Sequence, residues 1–508
     1  MNRLRTSCLS LALLAILPAL AWSDIILPAP QNGASDDPVL YTLSGRASAT
    51  SFYAAELSPQ SLSEILWAGF GVNRPAEGNR RTAPSAHNYQ DIDIYLAASS
   101  GVFRFDAPSH SLDRLSTSDV RASVWGGSSY AASAPVTLVF VSDTSTGVTL
   151  RQRYAHTGLI AMNVALYAAS ENLRVRIQSS APSSLRTILG LTASQVVTLI
   201  DTIGPSVSNN PEGQAPVAGQ LVTPRIDDQS ILRALKRRRS HSAYSASDIG
   251  DQLVANAAWA AYGMNRPDGK RTTPASWYTY NITVFALMAD GAYRYEPISQ
   301  TEHRLVSVYT GTDARSHVQY PQAPVTFILV SRPSDLQGSQ TEFSAVHSGL
   351  VAANLIDYCA SAGLASKVYE SISDAAGLRA KLGIADDQVL ELAVSVGAMP
   401  NPTPSYSVSF SAGTGGSLTG SASQSVPLGA DAASVTAVPA PGFGFLRWTG
   451  TVAGPRFDNP LVVRNVVGNM AIAAEFEPSD ATLSVEDASV VEADDGAVNL
   501  QVTVTSTP

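Results

Sequence analysis

The chain has 508 residues, enough for three or four domains at roughly 100–200 residues each. Its 45% apolar and 15% charged residues are an ordinary globular balance that can bury real cores. The formal net charge of −9, with no basic block to offset it, excludes a chain that binds nucleic acid through its electrostatics.

At the N-terminus Arg3 and Arg5 precede an apolar run from Leu9 to Leu20, and Ala21-Trp22-Ser23 offers small residues at the −3 and −1 positions of a cleavage site. This predicts an export signal over 1–23 and a periplasmic, cell-surface or secreted protein. The run is too short to span a membrane, which takes about 20 apolar residues, so no stable span is expected once it is removed. Removal also takes Cys8, leaving Cys359 in an apolar helical pattern where it reads as a small core residue, with no intrachain disulfide expected. Residues 24–40, rich in Pro, Gly and Asp, read as a linker.

The next 360 or so residues contain one domain twice. Leu66-Trp67-Ala68-Gly69-Phe70-Gly71-Val72-Asn73-Arg74-Pro75 returns as Ala258-Trp259-Ala260-Ala261-Tyr262-Gly263-Met264-Asn265-Arg266-Pro267, an offset of 192 from Arg74 to Arg266. Gly101-Val102-Phe103-Arg104-Phe105 answers Gly291-Ala292-Tyr293-Arg294-Tyr295, and His156-Thr157-Gly158-Leu159 answers His347-Ser348-Gly349-Leu350. The period far exceeds the 20–50 residues of a solenoid, so each copy is expected to be a whole domain, over 41–204 and 225–400, joined by a Pro-rich connector at 205–224. Within each copy, 62–68 reads as an amphipathic helix, 92–97 and 136–141 as buried strands, and 159–169 and 350–360 as long apolar helices: an α+β layout. Asp91 and Asp93, at alternate positions leading into a strand, read as solvent-facing; His156 and His347 read as capping or packing residues. No Ser/His/Asp order and no His/Cys metal spacing is legible, so no metal is expected.

After a short linker at 401–405 the pattern changes to β alternation with Gly turns over 406–478, which predicts a small all-β domain with Trp448 in its core. Residues 482–508 begin a further set of alternating strands. The first of these resembles the divergent internalin-type B repeat; the second resembles the opening of a Calx-β sandwich.

The motifs that carry chemistry are Arg237-Arg238-Arg239-Ser240-His241-Ser242 at the head of the second copy and Pro84-Ser85-Ala86-His87-Asn88-Tyr89-Gln90 in the first. In a duplicated α+β domain they resemble the nitroreductase superfamily, including its azoline-oxidising dehydrogenase branch. That resemblance implies FMN held at a dimer interface: one subunit gives an Arg-Arg/His-Ser arm and a loop after a Gly-Leu helix end, the other a Pro-Ser-x-x-Asn-x-Gln turn. Two copies in one chain then imply an intrachain pseudo-dimer. A guanidinium fork suits the flavin phosphate, and neutral Ser, Asn and Gln suit the ring edge.

The copies have kept complementary parts. Arg238, Arg239 and Ser240 stand where the first copy has Arg46, Ala47 and Ser48, while Pro84, Ser85, Asn88 and Gln90 stand where the second has Pro274, Ala275, Tyr278 and Tyr280. Gly363-Leu364 and Glu370 match the family loop; the first copy has Asn172-Leu173 and Gln178. The resemblance therefore implies one composite flavin site, made of Arg238, Arg239, Ser240 and Glu370 with Pro84, Ser85, Asn88 and Gln90, and no side-chain nucleophile. Ser242 stands where the family places a second basic residue, and no basic pair follows Val396-Gly397. The competing readings are that Arg237–Arg239 is the solvated end of a helix and 84–90 an ordinary turn, in a flavin-free duplicate that serves as a binding or structural module. The substrate and electron donor are not legible.

Overall fold

The computed structural model describes residues 24–485 and 504–507, except 34–36, 50, 125–132, 179–181, 206–213, 226–229, 246, 276–278, 337–341, 401–403, 453–455, 465 and 480–481. The expected export signal lies outside the described residues.

Each repeat folds around one long helix and one antiparallel sheet. The helices are Leu150–Ser170 and Phe343–Ser361, nearly apolar all round and buried along most of their length. Such helices have no solvent face, and they bury each other at the centre of the molecule. Where they cross, Gly158 of one meets Gly349 of the other: a Cβ on Gly158 would lie 2.2 Å from the Val346 carbonyl oxygen, and one on Gly349 would lie 2.2 Å from that of Ala155. The pseudo-twofold axis of the duplication passes between these two glycines. The Gly-Leu pair that recurs in both sequences is there to let the two backbones touch.

The sheet of the first repeat runs, in spatial order, Gly219–Gln220, Ser111–Ser116, Gly101–Asp106, Ile92–Ala98, Val136–Asp143, Gln195–Pro205 and Leu173–Gln178. That of the second runs Ile25–Ile26, His303–Thr310, Gly291–Pro297, Ile282–Met288, Val325–Ser331, Val389–Ala398 and Leu364–Tyr369. The alternation along these strands splits their side chains between a shared inner core and an outer cluster for each repeat. The inner core is contiguous through both repeats.

The two segments expected to be linkers contribute structure, and each does so to the opposite repeat. Ile25–Ile26, ahead of the first repeat, pairs with Leu305 and Arg304 at the edge of the second sheet. Gly219–Gln220, ahead of the second repeat, pairs with Leu112 and Ser111 at the edge of the first. Side chains fasten the exchange: Gln31 bonds in both directions with Asn256 of the second repeat at 3.0 and 3.1 Å, and Arg225 donates to buried Glu64 of the first at 3.0 Å. A sequence rich in Pro and Gly resists helix, but its backbone can still complete an edge strand.

The third domain has a four-stranded sheet, ordered Ser423–Pro427, Ser405–Ala412, Met470–Pro478 and Phe443–Gly450, and a separate two-stranded antiparallel pair, Gly416–Thr419 with Thr436–Pro439. Trp448, fully buried, sits at the centre of its core and donates its indole N–H to the Asp458 carbonyl. Beyond it, Thr482–Val485 and Val504–Thr507 pair as an antiparallel ladder. Among the described residues no helix is long and apolar enough to cross a membrane.

Candidate functional site

The arm of the second repeat begins on the amphipathic helix Ser230–Arg237, which buries Ile231, Leu232, Ala234 and Leu235. It continues in extended form alongside Leu364–Tyr369, where the His241 amide donates to the Ser366 carbonyl at 2.9 Å. The first repeat repeats this contact with the Ala49 amide and the Val175 carbonyl, so His241 and Ser366 are the structural counterparts of Ala49 and Val175.

Arg238 is 3% exposed, and its guanidinium is spent on backbone. Its Nε donates to the Thr82 carbonyl at 2.5 Å and its terminal nitrogen to the Arg81 carbonyl at 3.1 Å. Arg46 does the same across the pseudo-axis, to the carbonyls of Thr272 at 2.8 Å and Arg271 at 3.0 Å. Asn73 and Asn265 return the contact, each donating to two carbonyls of the opposite arm. The arginine retained in both copies is therefore a clasp between repeats. Burial lowers the pKa of Arg238 to about 9, which leaves it charged at neutral pH. The clasp also sets the arm next to the turn of the other repeat, since Thr82 lies two residues before Pro84.

Arg239 is held elsewhere. It donates to both carboxylate oxygens of Glu77 at 2.8 Å and to the Val467 carbonyl of the third domain at 2.6 Å, and its guanidinium lies over the Tyr406 ring at 5.2 Å. Ser240 is exposed, and among the described residues no hydrogen bond joins it to the turn. Glu370 is half-buried and accepts from Gln152, at the head of the first repeat's central helix, at 2.8 Å.

The turn of the first repeat is bent by left-handed backbone at His87, Asn88 and Gln90, with φ of 48°, 59° and 50°. Three non-glycine residues in that region need outside support. Ser85 Oγ accepts from the Gln90 amide at 3.0 Å, and the Gln90 side chain accepts from Arg81 at 2.8 Å while donating to the Asn79 carbonyl and to Asn88 Oδ1. Pro84 is half-buried at its start. The Ala86 amide donates to His156 Nε2 at 2.8 Å, which places the ring proton on Nδ1, facing Asp91 Oδ1 at 2.6 Å; Ser142 donates to the other Asp91 oxygen. Asp91 is thus buried, not solvent-facing as its alternation with Asp93 suggested, because a backbone amide six residues before the strand needs the histidine that it orients. In the second repeat Asn281 takes the place of Asp91, bonding His347 Nδ1 at 2.6 Å, and Tyr280 takes the place of Gln90. Arg271 lies over the rings of Tyr262 at 4.4 Å and Tyr280 at 5.1 Å. Tyr278 lies outside the described residues.

A cavity of about 250 Å³ opens beside the second arm, between Arg237, Arg239, His241, Ser366 and Met399. The Arg237 guanidinium lines it and, among the described residues, makes no hydrogen bond or ion pair. Both ring nitrogens of His241 are buried without a partner, and burial, helped by Arg239, lowers its pKa to about 4, so the ring is neutral at physiological pH. A free cation beside a neutral imidazole, which offers one N–H donor, fits a phosphate group. Sequence reasoning assigned the site to Arg238 and Arg239 and did not include His241; the signal lay in Gly45, Ala47 and Ala49, which stand in the first copy where Arg237, Arg239 and His241 stand in the second.

Comparison with known families bears directly on this arrangement. The nitroreductase family model matches residues 43–204 and again 235–398, and the divergent InlB B-repeat model matches 406–480. The chain belongs to the nitroreductase family. Among solved structures, a protein described as a nitroreductase from Anabaena variabilis is 15% identical, with a TM-score of 0.56 over 67% of this chain and 88% of its own, a span that only both repeats together can fill. A nitroreductase-like protein from Ralstonia eutropha is 30% identical over 36% of this chain and 90% of its own, with a TM-score of 0.32. One from Desulfovibrio desulfuricans, solved in complex with FMN, is 18% identical over 36% of this chain and 94% of its own, with a TM-score of 0.26. No significant match is found among curated proteins. Nitroreductase-family proteins generally bind FMN, and membership supports a flavin oxidoreductase type of function at the level of the family.

Proposed function

We propose that this nitroreductase is an exported FMN-dependent oxidoreductase with one composite flavin site per chain. The second repeat gives the arm, Arg238-Arg239-Ser240, and the Glu370 loop; the first gives the turn with Pro84, Ser85, Asn88 and Gln90. The observation that carries this reading is the Arg238 clasp. It seats the arm of one repeat against the segment that leads into the other repeat's turn, and that turn is the one retaining the neutral donors and acceptors a flavin edge needs. At the equivalent position of the second repeat Arg271 lies over the Tyr280 ring, where Arg81 of the first repeat donates to the Gln90 side chain.

The chemistry FMN supplies when bound is two-electron hydride transfer. The chain's own part is binding and orientation. Arg237 and neutral His241 would face the phosphate. Ser240, being exposed, is free to donate to the ring. The Glu370 loop is fixed by Gln152 across the repeat interface. The Asp91–His156 pair holds the turn amide in place. The export signal read over 1–23 would put this chemistry outside the cytoplasm, where a redox partner of that compartment is an alternative to a nicotinamide nucleotide as the donor.

A second reading, a flavin-free module on an exported protein, is favoured by one observation: Arg238 and Arg239 are already satisfied by carbonyls and by Glu77. The visible spectrum of the purified mature chain, before and after loading with FMN and removal of excess, separates the two. One bound FMN per chain is expected. Two per chain would end the composite-site asymmetry, and none on a folded chain would leave the module reading.

A further inference from the structure

The cavity beside Arg237 is not closed by the nitroreductase repeats alone. Its remaining wall is Leu428 of the third domain, on a turn fixed by bonds from the Leu428 amide to the Pro404 carbonyl and from the Gly429 amide to the Val466 carbonyl, both 2.7 Å. The Arg237 guanidinium lies between two glycines with left-handed backbone. A Cβ on Gly363, at the end of the central helix, would be 3.7 Å from its terminal nitrogen, and one on Gly429 of the third domain would be 2.9 Å from it. Any side chain at 429 would displace the cation. The same domain holds Arg239 through the Val467 carbonyl and the Tyr406 ring.

The first repeat is an internal control. At the positions of Arg237, Arg239, His241 and Ser366 it has Gly45, Ala47, Ala49 and Val175. Four polar residues thus occur together in the repeat whose arm the third domain touches, and all four are absent from the other. If the third domain were a spacer that merely rests against its neighbour, there would be no reason for the neighbour's polar residues to follow the contact.

We infer that the third domain is part of a binding site: with Arg237, Arg239, His241 and Ser366 it encloses a pocket for a phosphate monoester. Under the flavin reading above, on which the identity of that monoester rests, the group is the FMN phosphate. Glu77 neutralises Arg239, so Arg237 carries the free charge, and the neutral imidazole adds a donor without a counter-charge. At roughly 30 Å³ per water, the cavity has room for a phosphate and several waters. Burial lowers the pKa of Arg237 too, and an anion would offset that cost.

The test uses the full mature chain and three probes: FMN, riboflavin and inorganic phosphate, measured by calorimetry and by thermal shift. FMN is expected to bind at least tenfold more tightly than riboflavin. R237A should remove that preference and R237K should restore part of it. L428E, which places a carboxylate on the wall given by the third domain, should weaken FMN about tenfold and leave riboflavin unchanged, while L428Q, its neutral counterpart, should weaken neither. Loss of FMN binding in both Leu428 variants would mean a folding effect and would overturn the electrostatic role of the wall. An FMN-to-riboflavin ratio that R237A and L428E leave untouched would overturn the pocket while sparing the flavin reading. Phosphate binding that depends on Arg237 in a chain that takes neither flavin would sink the flavin reading and keep the pocket. No binding of any probe would sink both.

Discussion

Arg46 and Arg238 show how a motif residue can be retained for the fold. Each is buried and each donates to two carbonyls of the opposite repeat. Replacing either with Ala leaves those carbonyls unsatisfied in the interior, at a cost of about 2–4 kcal/mol. Thermal melts of R46A and R238A are therefore expected to fall by similar amounts, with or without flavin; a loss confined to R238A would give that arginine a role beyond the clasp. Asp357, on the second central helix, is buried with both carboxylate oxygens unpartnered, and burial raises its pKa to about 8 despite the opposing influence of Arg238. Between pH 4 and 8 the folded protein keeps a proton that the unfolded chain has released, so this residue makes stability fall as pH rises through that window. D357N should stabilise the chain at pH 7.5 by about 1–2 kcal/mol, and the gain should vanish toward pH 4. A melting series that shows the same gain at both pH values would refute this account. Under the proposed flavin reading, Ser242, which is exposed, would leave a reduced flavin anion without a cation beside it, and S242K is then expected to raise the flavin midpoint potential, read by spectroelectrochemistry.

At the scale of elements, the central helices depend on two glycines. In an exposed helix, Gly→Ala gains up to about 1 kcal/mol from propensity. At Gly158 the sign reverses, because the new Cβ would meet the Val346 carbonyl oxygen at 2.2 Å, and only separation of the two helices relieves that clash. G158A should cost on the order of 3 kcal/mol, measured by denaturant melts; a neutral or stabilising result would mean that the helices do not cross at these residues. Both helices were legible in the sequence as long apolar runs, as were the strands at 92–97 and 136–141, observed as Ile92–Ala98 and Val136–Asp143. The edge strands Ile25–Ile26 and Gly219–Gln220 were not. Two residues carry no periodicity, and what makes them strands is the exposed edge of a sheet 107 to 280 positions away in the chain.

At the scale of the whole molecule, the contiguous core and the exchanged N-terminal segments make the two repeats one cooperative unit. Calorimetry should show a single transition for the repeats, with the third domain, which has its own core, free to melt separately. Two resolved transitions for the repeats would contradict the shared core. The sequence by itself determined the duplication, the α+β content of each copy, the β character of the tail and the complementary decay of arm and turn, because these are written as period, spacing and residue type. Tertiary structure alone decided which charges are free. Three consecutive arginines read alike in the sequence, yet Arg238 ends on buried carbonyls, Arg239 on Glu77 and the third domain, and Arg237 on an open cavity. The partners that separate them come from Thr82, Glu77 and Val467, and a guanidinium is spent or available only according to what folding brings within hydrogen-bond reach.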